Sequence, residues 1–148
     1  MKAIWFAGAV ALAVAGPAAA EPWVDWTPQK GVISVTAVHV DPNHIDDYLT
    51  GLKKIWLPGE EYAKKTGQIV SYEILVNVNA SGTGPNVLLV EHLPNFAVLD
   101  PNKKRDLDAQ KAIEAMAPKA TQDTMVAGFE KYRTFVGSDM WQAVEFTK

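Results

Sequence analysis

Polar and apolar positions alternate most cleanly between Ile69 and Val78, where Val70, Tyr72, Ile74, Val76 and Val78 fall on one side and Ile69, Ser71, Glu73, Leu75 and Asn77 on the other. A two-residue period of this kind predicts a strand. Val32 to Val40, VISVTAVHV, predicts another, with Ile33, Val35, Ala37 and His39 on one face and Val32, Ser34, Thr36, Val38 and Val40 on the other. Both faces are largely apolar, which calls for cover on both sides. Between these strands the period changes. Ile45, Tyr48, Leu49, Leu52, Ile55 and Trp56 recur at spacings of three and four, the stripe of an amphipathic helix. Asp41 is placed to cap it, Pro42 fits its first position, and Asp46 and Asp47 suit the positive end of the helix dipole. Pro58-Gly59 predicts a kink, followed by a second helical piece, EEYAKKT, which Gly67 ends. Glu60 with Lys64 and Glu61 with Lys65 are i,i+4 pairs and are read as a solvated face.

The second half repeats the scheme less regularly. Asn79 to Asn86 is a turn-rich connection, and Val87 to Leu93 predicts a third strand. A short helical turn, NFAVLD, follows, and Lys103 to Met116 predicts a helix that Pro118 closes. Thr121 is a candidate cap for a last helix with Met125, Phe129, Tyr132 and Val136 in its stripe and Gly137 at its end. Met140 to Phe146 predicts the final strand.

Strand, helix, strand, strand, helices, strand is the α+β split β-α-β order: a four-stranded antiparallel sheet with helices on one face. The first and third strands are expected as parallel central neighbours. The face away from the helices would carry Val32, Val38, Leu75, Val87 and Leu89, too apolar to stay wet. The corner HVDPNHIDDYL, the kinked helix ending in KKTG, the segment VLLVEHLPNFAVLD and the closing SDMWQAVEF resemble the dimeric α/β-barrel superfamily of ferredoxin-like domains across residues 32–146. That resemblance implies a homodimer in which two sheets pack face to face. The superfamily spans cofactor-free oxygenases, haem-handling enzymes and isomerases, so it does not choose an activity.

Composition narrows the classes. Met1-Lys2, the apolar run Ile4 to Ala15 and the small residues Ala18 to Ala20 predict a signal peptide over residues 1–20 and a periplasmic or secreted product, with no membrane attachment after cleavage. Residues 21–31, EPWVDWTPQKG, then form an irregular arm and residues 32–148 one domain. With no cysteine, thiol chemistry and disulfides are excluded. Net charge is −3, with only two arginines, Arg105 and Arg133, a poor composition for nucleic acid.

The candidate chemistry sits where the parallel arrangement would bring strand ends together. His39 and His92 then lie on the helix-facing side at one end of the sheet, with His44 at the same corner. Trp56, Tyr62, Phe96 and Trp141 supply apolar walls, the constitution of a small-molecule pocket. One version makes His39 or His92 a catalytic general base in a cofactor-independent oxygenase or isomerase. A metal version would join the histidines with Asp41 or Glu91, but their spacing fits no metal motif and no metal or other cofactor is assigned. The structural alternative satisfies His39 and His92 with backbone groups and leaves His44 exposed in a first helical turn, and an assembly protein with no pocket is a third class. Gly82-Thr83-Gly84 lacks the third glycine of a dinucleotide loop, and neither Ser81 nor Ser138 sits in a nucleophile elbow.

Overall fold

The computed structural model describes residues 21–80 and 82–147. The expected signal peptide lies outside the described residues. Four strands form the main sheet: β2 (Val32–Val40), β3 (Ser71–Val76), β4 (Val87–Leu93) and β5 (Arg133–Trp141), in the order β3-β4-β2-β5 and all antiparallel to their neighbours. Two short strands, β1 (Trp26–Pro28) and β6 (Val144–Phe146), pair with each other as a separate ribbon, so the arm is not irregular throughout. The helices are α1 (Ile45–Ile55), α2 (Leu57–Lys65), α3 (Lys103–Met116) and α4 (Lys119–Phe129).

The first and third main strands are antiparallel, which corrects the parallel pairing expected above. The α1–α2 crossover leaves β2 and β3 pointing the same way. The β3–β4 hairpin then reverses the chain, and β4 inserts between them against both.

Register decides the faces. Val32, Ser34, Val38 and Val40 are buried alternately along β2, and Val38 and Val40 share a core with Tyr48, Leu52, Val87 and Phe129 beneath α1 and α4. Val32, Ile69 and Leu93 form a smaller core beneath α2. Val32, Val38, Val87 and Leu89 therefore face the helices, not the open side on which they were expected. The open side carries Ile33, Val35, Ala37, Leu75, Leu88, Val90 and Trp141.

Local chemistry accounts for the element ends. Asp41 Oδ1 accepts the Asn43 N–H at 2.9 Å in a 3₁₀ turn that opens α1. Pro58 lies in the first turn of α2, where its missing N–H costs nothing, so α2 starts before Pro58-Gly59 and not after it. The last helix stops at Phe129. Tyr132 and Val136 continue its spacing by coincidence, because the β-branched and aromatic run Thr134-Phe135-Val136 prefers a strand. Gly137 lies at a bulge where β5 shifts register against β2. Thr121 is no cap: α4 begins at Lys119, after Pro118. α3 packs on α2 and α4 on α1, and no helix makes an extensive contact with β5. Phe135 and Met140, on its helix-facing side, remain 60% and 51% exposed.

Candidate functional site

The histidines do not converge. His92 pairs across from Ile33 and His39 from Thr134, so six β2 residues, roughly 20 Å, separate them. Both lie on the open side of the sheet, not under the helices. His39 Nδ1–H donates to the Gly84 carbonyl at 2.7 Å and ties down the hairpin loop. His44 stacks on Tyr132, with centroids 4.6 Å apart, and its Nδ1 donates to Asp47 at 3.0 Å. His92 Nε2 donates to Glu73 at 3.1 Å. Strand direction is the physical reason: antiparallel neighbours bring the end of one to the beginning of the other. Any metal centre built on all three imidazoles loses its geometry with it.

The expected apolar walls also separate. Phe96 is 53% and Trp141 59% exposed, Trp141 being on the open side in the same row as His92, with Ile33 between them. Tyr62 lines a shallow surface groove with Pro58, Glu61, Lys65 and Met116. Trp56 alone reaches the sheet–helix interior, its ring edge-on to Tyr72 at 5.5 Å.

That interior has a polar centre. Strand register sets Tyr72, Glu91, Ser34 and Met140 side by side across β3, β4, β2 and β5 on the helix-facing side, adjacent Cβ atoms being roughly 5 Å apart. The next row is Ile74, Leu89, Thr36 and Ser138. Ser34 is buried and Glu91 partly so. Above the first row, α2 delivers Glu60. Trp56, Glu60 and Ala63 follow at intervals of four and three, continuing the apolar stripe of α1 through the proline, and Ala63 packs on the Val32 core. Glu60 is therefore turned inward and only 7% exposed, whereas its neighbour Glu61 accepts a hydrogen bond from the Tyr72 hydroxyl at 2.5 Å. The solvated-face reading of Glu60 is corrected by that stripe.

Glu60 is electrostatically unusual. Its Oε2 is buried without a partner among the described residues. Burial disfavours its charge, and the negative charge of the neighbouring Glu91 adds to the effect, raising the Glu60 carboxyl to about 8. It holds a proton at neutral pH beside a second carboxyl. Chemically, such a pair can donate through one member and accept through the other. Among the described residues no group of three or more His, Asp or Glu is arranged to hold a metal ion. The clue lay in the sequence: Glu60 stands four residues after Trp56, the last member of the stripe, but its pairing with Lys64 drew it to the surface in the reading above.

No family model matches the chain, and no curated protein does. Among solved structures, a protein of Shewanella oneidensis is similar over 81% of this chain and 98% of its own, with 15% identity and a TM-score of 0.50. HapK from Hahella chejuensis covers 76% and 91% with 11% identity and a TM-score of 0.42. A dimeric ferredoxin-like protein from an uncultured marine organism covers 80% and 89% with 11% identity and a TM-score of 0.43. The likeness is one of fold. The chain is an α+β protein with a ferredoxin-like order of strands and helices, and these structures assign it no ligand and no reaction.

Proposed function

We propose that the chain is an exported, homodimeric α/β-barrel protein that binds a small, largely apolar molecule on the helix-facing side of its sheet, with Glu60 and Glu91 as the polar centre of that site. The observation that carries this reading is the Glu60 carboxyl, buried and with Oε2 unpartnered beside Glu91. A buried polar atom without a hydrogen bond costs stability, and a bound ligand is one way to satisfy it. The uncovered flank of β5 supports access, since the row from Glu91 through Ser34 ends at the half-exposed Met140. Leader-like residues 1–20 support export.

Dimerisation rests on the open face. Ile33, Val35, Ala37, Leu75, Leu88 and Trp141 make an apolar surface that a second copy, packed sheet to sheet, would cover. Light scattering of the chain lacking residues 1–20 is expected to give a dimer, and Val35→Asp a folded monomer. A monomeric parent protein at micromolar concentration overturns the barrel. For the binding site, a thermal-shift screen of small aromatic and carbonyl compounds is expected to yield stabilising compounds whose effect disappears in Glu60→Ala. Stabilisation that persists in Glu60→Ala places the binding site elsewhere.

A further inference from the structure

Two neighbouring carboxyls between sheet and helices, Glu60 buried with Oε2 short of a partner and Glu91 in the row beneath it, set a donor and an acceptor close together. Ser34, directly across from Glu91 and 8% exposed, adds a hydroxyl to the same row. Among the described residues no cation acts on the pair: Lys64 and Lys65 are exposed at the other end of α2, and the causes that raise Glu60 are burial and Glu91. The rings of Trp56 and Tyr72 flank the row at its β3 end, and the half-exposed Met140 stands at its β5 end. A flat, small molecule with one oxygen and an adjacent acidic C–H matches this layout.

We infer that Glu60 and Glu91 form an acid–base couple that moves a proton between carbon and oxygen of a small enolisable carbonyl compound. This rests on the binding site proposed above and adds an activity to it. Glu91 takes the proton from the carbon next to the carbonyl. The C–H electron pair becomes the new C=C bond, the carbonyl π pair becomes an O–H bond, and Glu60 supplies the proton. The enol leaves with the couple holding one proton, now on Glu91. One transfer between the carboxyls restores the starting state, so the cycle needs no cofactor, oxidant or reductant. Glu60 and Glu91 are catalytic residues in this scheme, whereas Ser34 is a positioning residue for the oxygen.

The test uses phenylpyruvate and acetylacetone in D2O near pH 7, with deuterium incorporation at the acidic carbon followed by proton NMR. The protein without residues 1–20 is expected to exchange at least one probe on the order of a hundredfold faster than buffer, the low end of what a positioned acid or base contributes. Glu60→Gln and Glu91→Gln should each return the rate to that of buffer, while Glu114→Gln, on the exposed part of α3, should keep it. Circular dichroism checks folding. If Glu91→Gln does not fold, Glu60→Gln carries the test, because glutamine is the neutral isostere of a protonated glutamate. Saturation-transfer NMR on the same samples reports binding. Probes that bind without accelerated exchange, or exchange that survives Glu60→Gln, overturn the acid–base couple and leave the binding site standing. Probes that neither bind nor exchange overturn both.

Discussion

Replacing Glu60 by glutamine should flatten the dependence of stability on pH. An unfolded glutamate titrates near 4.5, and the folded Glu60 near 8. Between those values the folded chain keeps a proton that the unfolded chain has released. Unfolding therefore releases a proton, and stability falls as pH rises, by about 1.4 kcal/mol per pH unit. The sign is opposite to that of a salt-bridged carboxylate. The stability tied to the protonated form is complete below pH 4.5 and is lost as pH climbs through 8. Over the whole window the loss reaches at most about 5 kcal/mol, comparable to the total stability of a small domain.

Glutamine cannot ionise, so Glu60→Gln loses this slope and nothing else that titrates independently. The assay is urea unfolding of both proteins at half-unit steps from pH 5 to pH 8.5, at one protomer concentration so that association contributes equally. The difference in stability should widen in favour of the variant by about 1.4 kcal/mol per unit, which at ordinary urea m-values is a relative midpoint shift of about 0.5–1 M per unit. Groups that do not act on Glu60 contribute equally to both proteins and cancel in the difference, so the difference belongs to Glu60 together with its neighbour Glu91. Parallel profiles would refute the reasoning, since they require Glu60 to be ionised in the folded state.

Three further substitutions probe the scaffold. Asn86 is buried, accepts the Val40 N–H at 2.8 Å and donates to the Val40 carbonyl at 2.7 Å; Asn86→Ala orphans both groups and should cost about 2–4 kcal/mol in urea unfolding. At Gly51 a Cβ would lie 2.4 Å from two ring carbons of Phe129, which is itself only 3% exposed. Gly51→Ala should therefore destabilise by about 1–3 kcal/mol through overpacking, although alanine is the better helix former, and a neutral or stabilising result would mean that α4 stands further from α1. Asn102 accepts the Arg105 N–H at 3.0 Å as the cap of α3, and Asn102→Ala should lower the thermal midpoint by an amount equivalent to about 1 kcal/mol.

What the sequence discloses about this chain is governed by how local each signal is. β2 and α1 are legible because the alternation of VISVTAVHV and the stripe Ile45 to Trp56 are read within a few residues, and the order of elements follows from them. Strand direction is a topological consequence of the β3–β4 hairpin, and taking β2 and β4 as parallel carried His39 and His92 to the same corner. Once direction is corrected, the same registers that separate the imidazoles align Glu91 with Ser34. Near the C-terminus two periods compete: Met125, Phe129, Tyr132 and Val136 fit a helix, yet the side-chain preferences of Thr134 to Val136 and the free edge of β2 favour a strand. Glu60 is the most instructive residue. Its i,i+4 relation to Lys64 is as good a surface signal as sequence offers, and an exposed pair of that kind is worth only a few tenths of a kcal/mol. Burying Trp56 and Ala63 on the same helical face is worth several times more, so the helix turns Glu60 inward with them. A carboxyl buried against its own preference, beside a second carboxyl and short of a partner, is a local rule broken within an otherwise consistent fold. Such breaks concentrate where a protein does its chemistry, which is why the proposed site is built on Glu60 and Glu91 and not on the histidines.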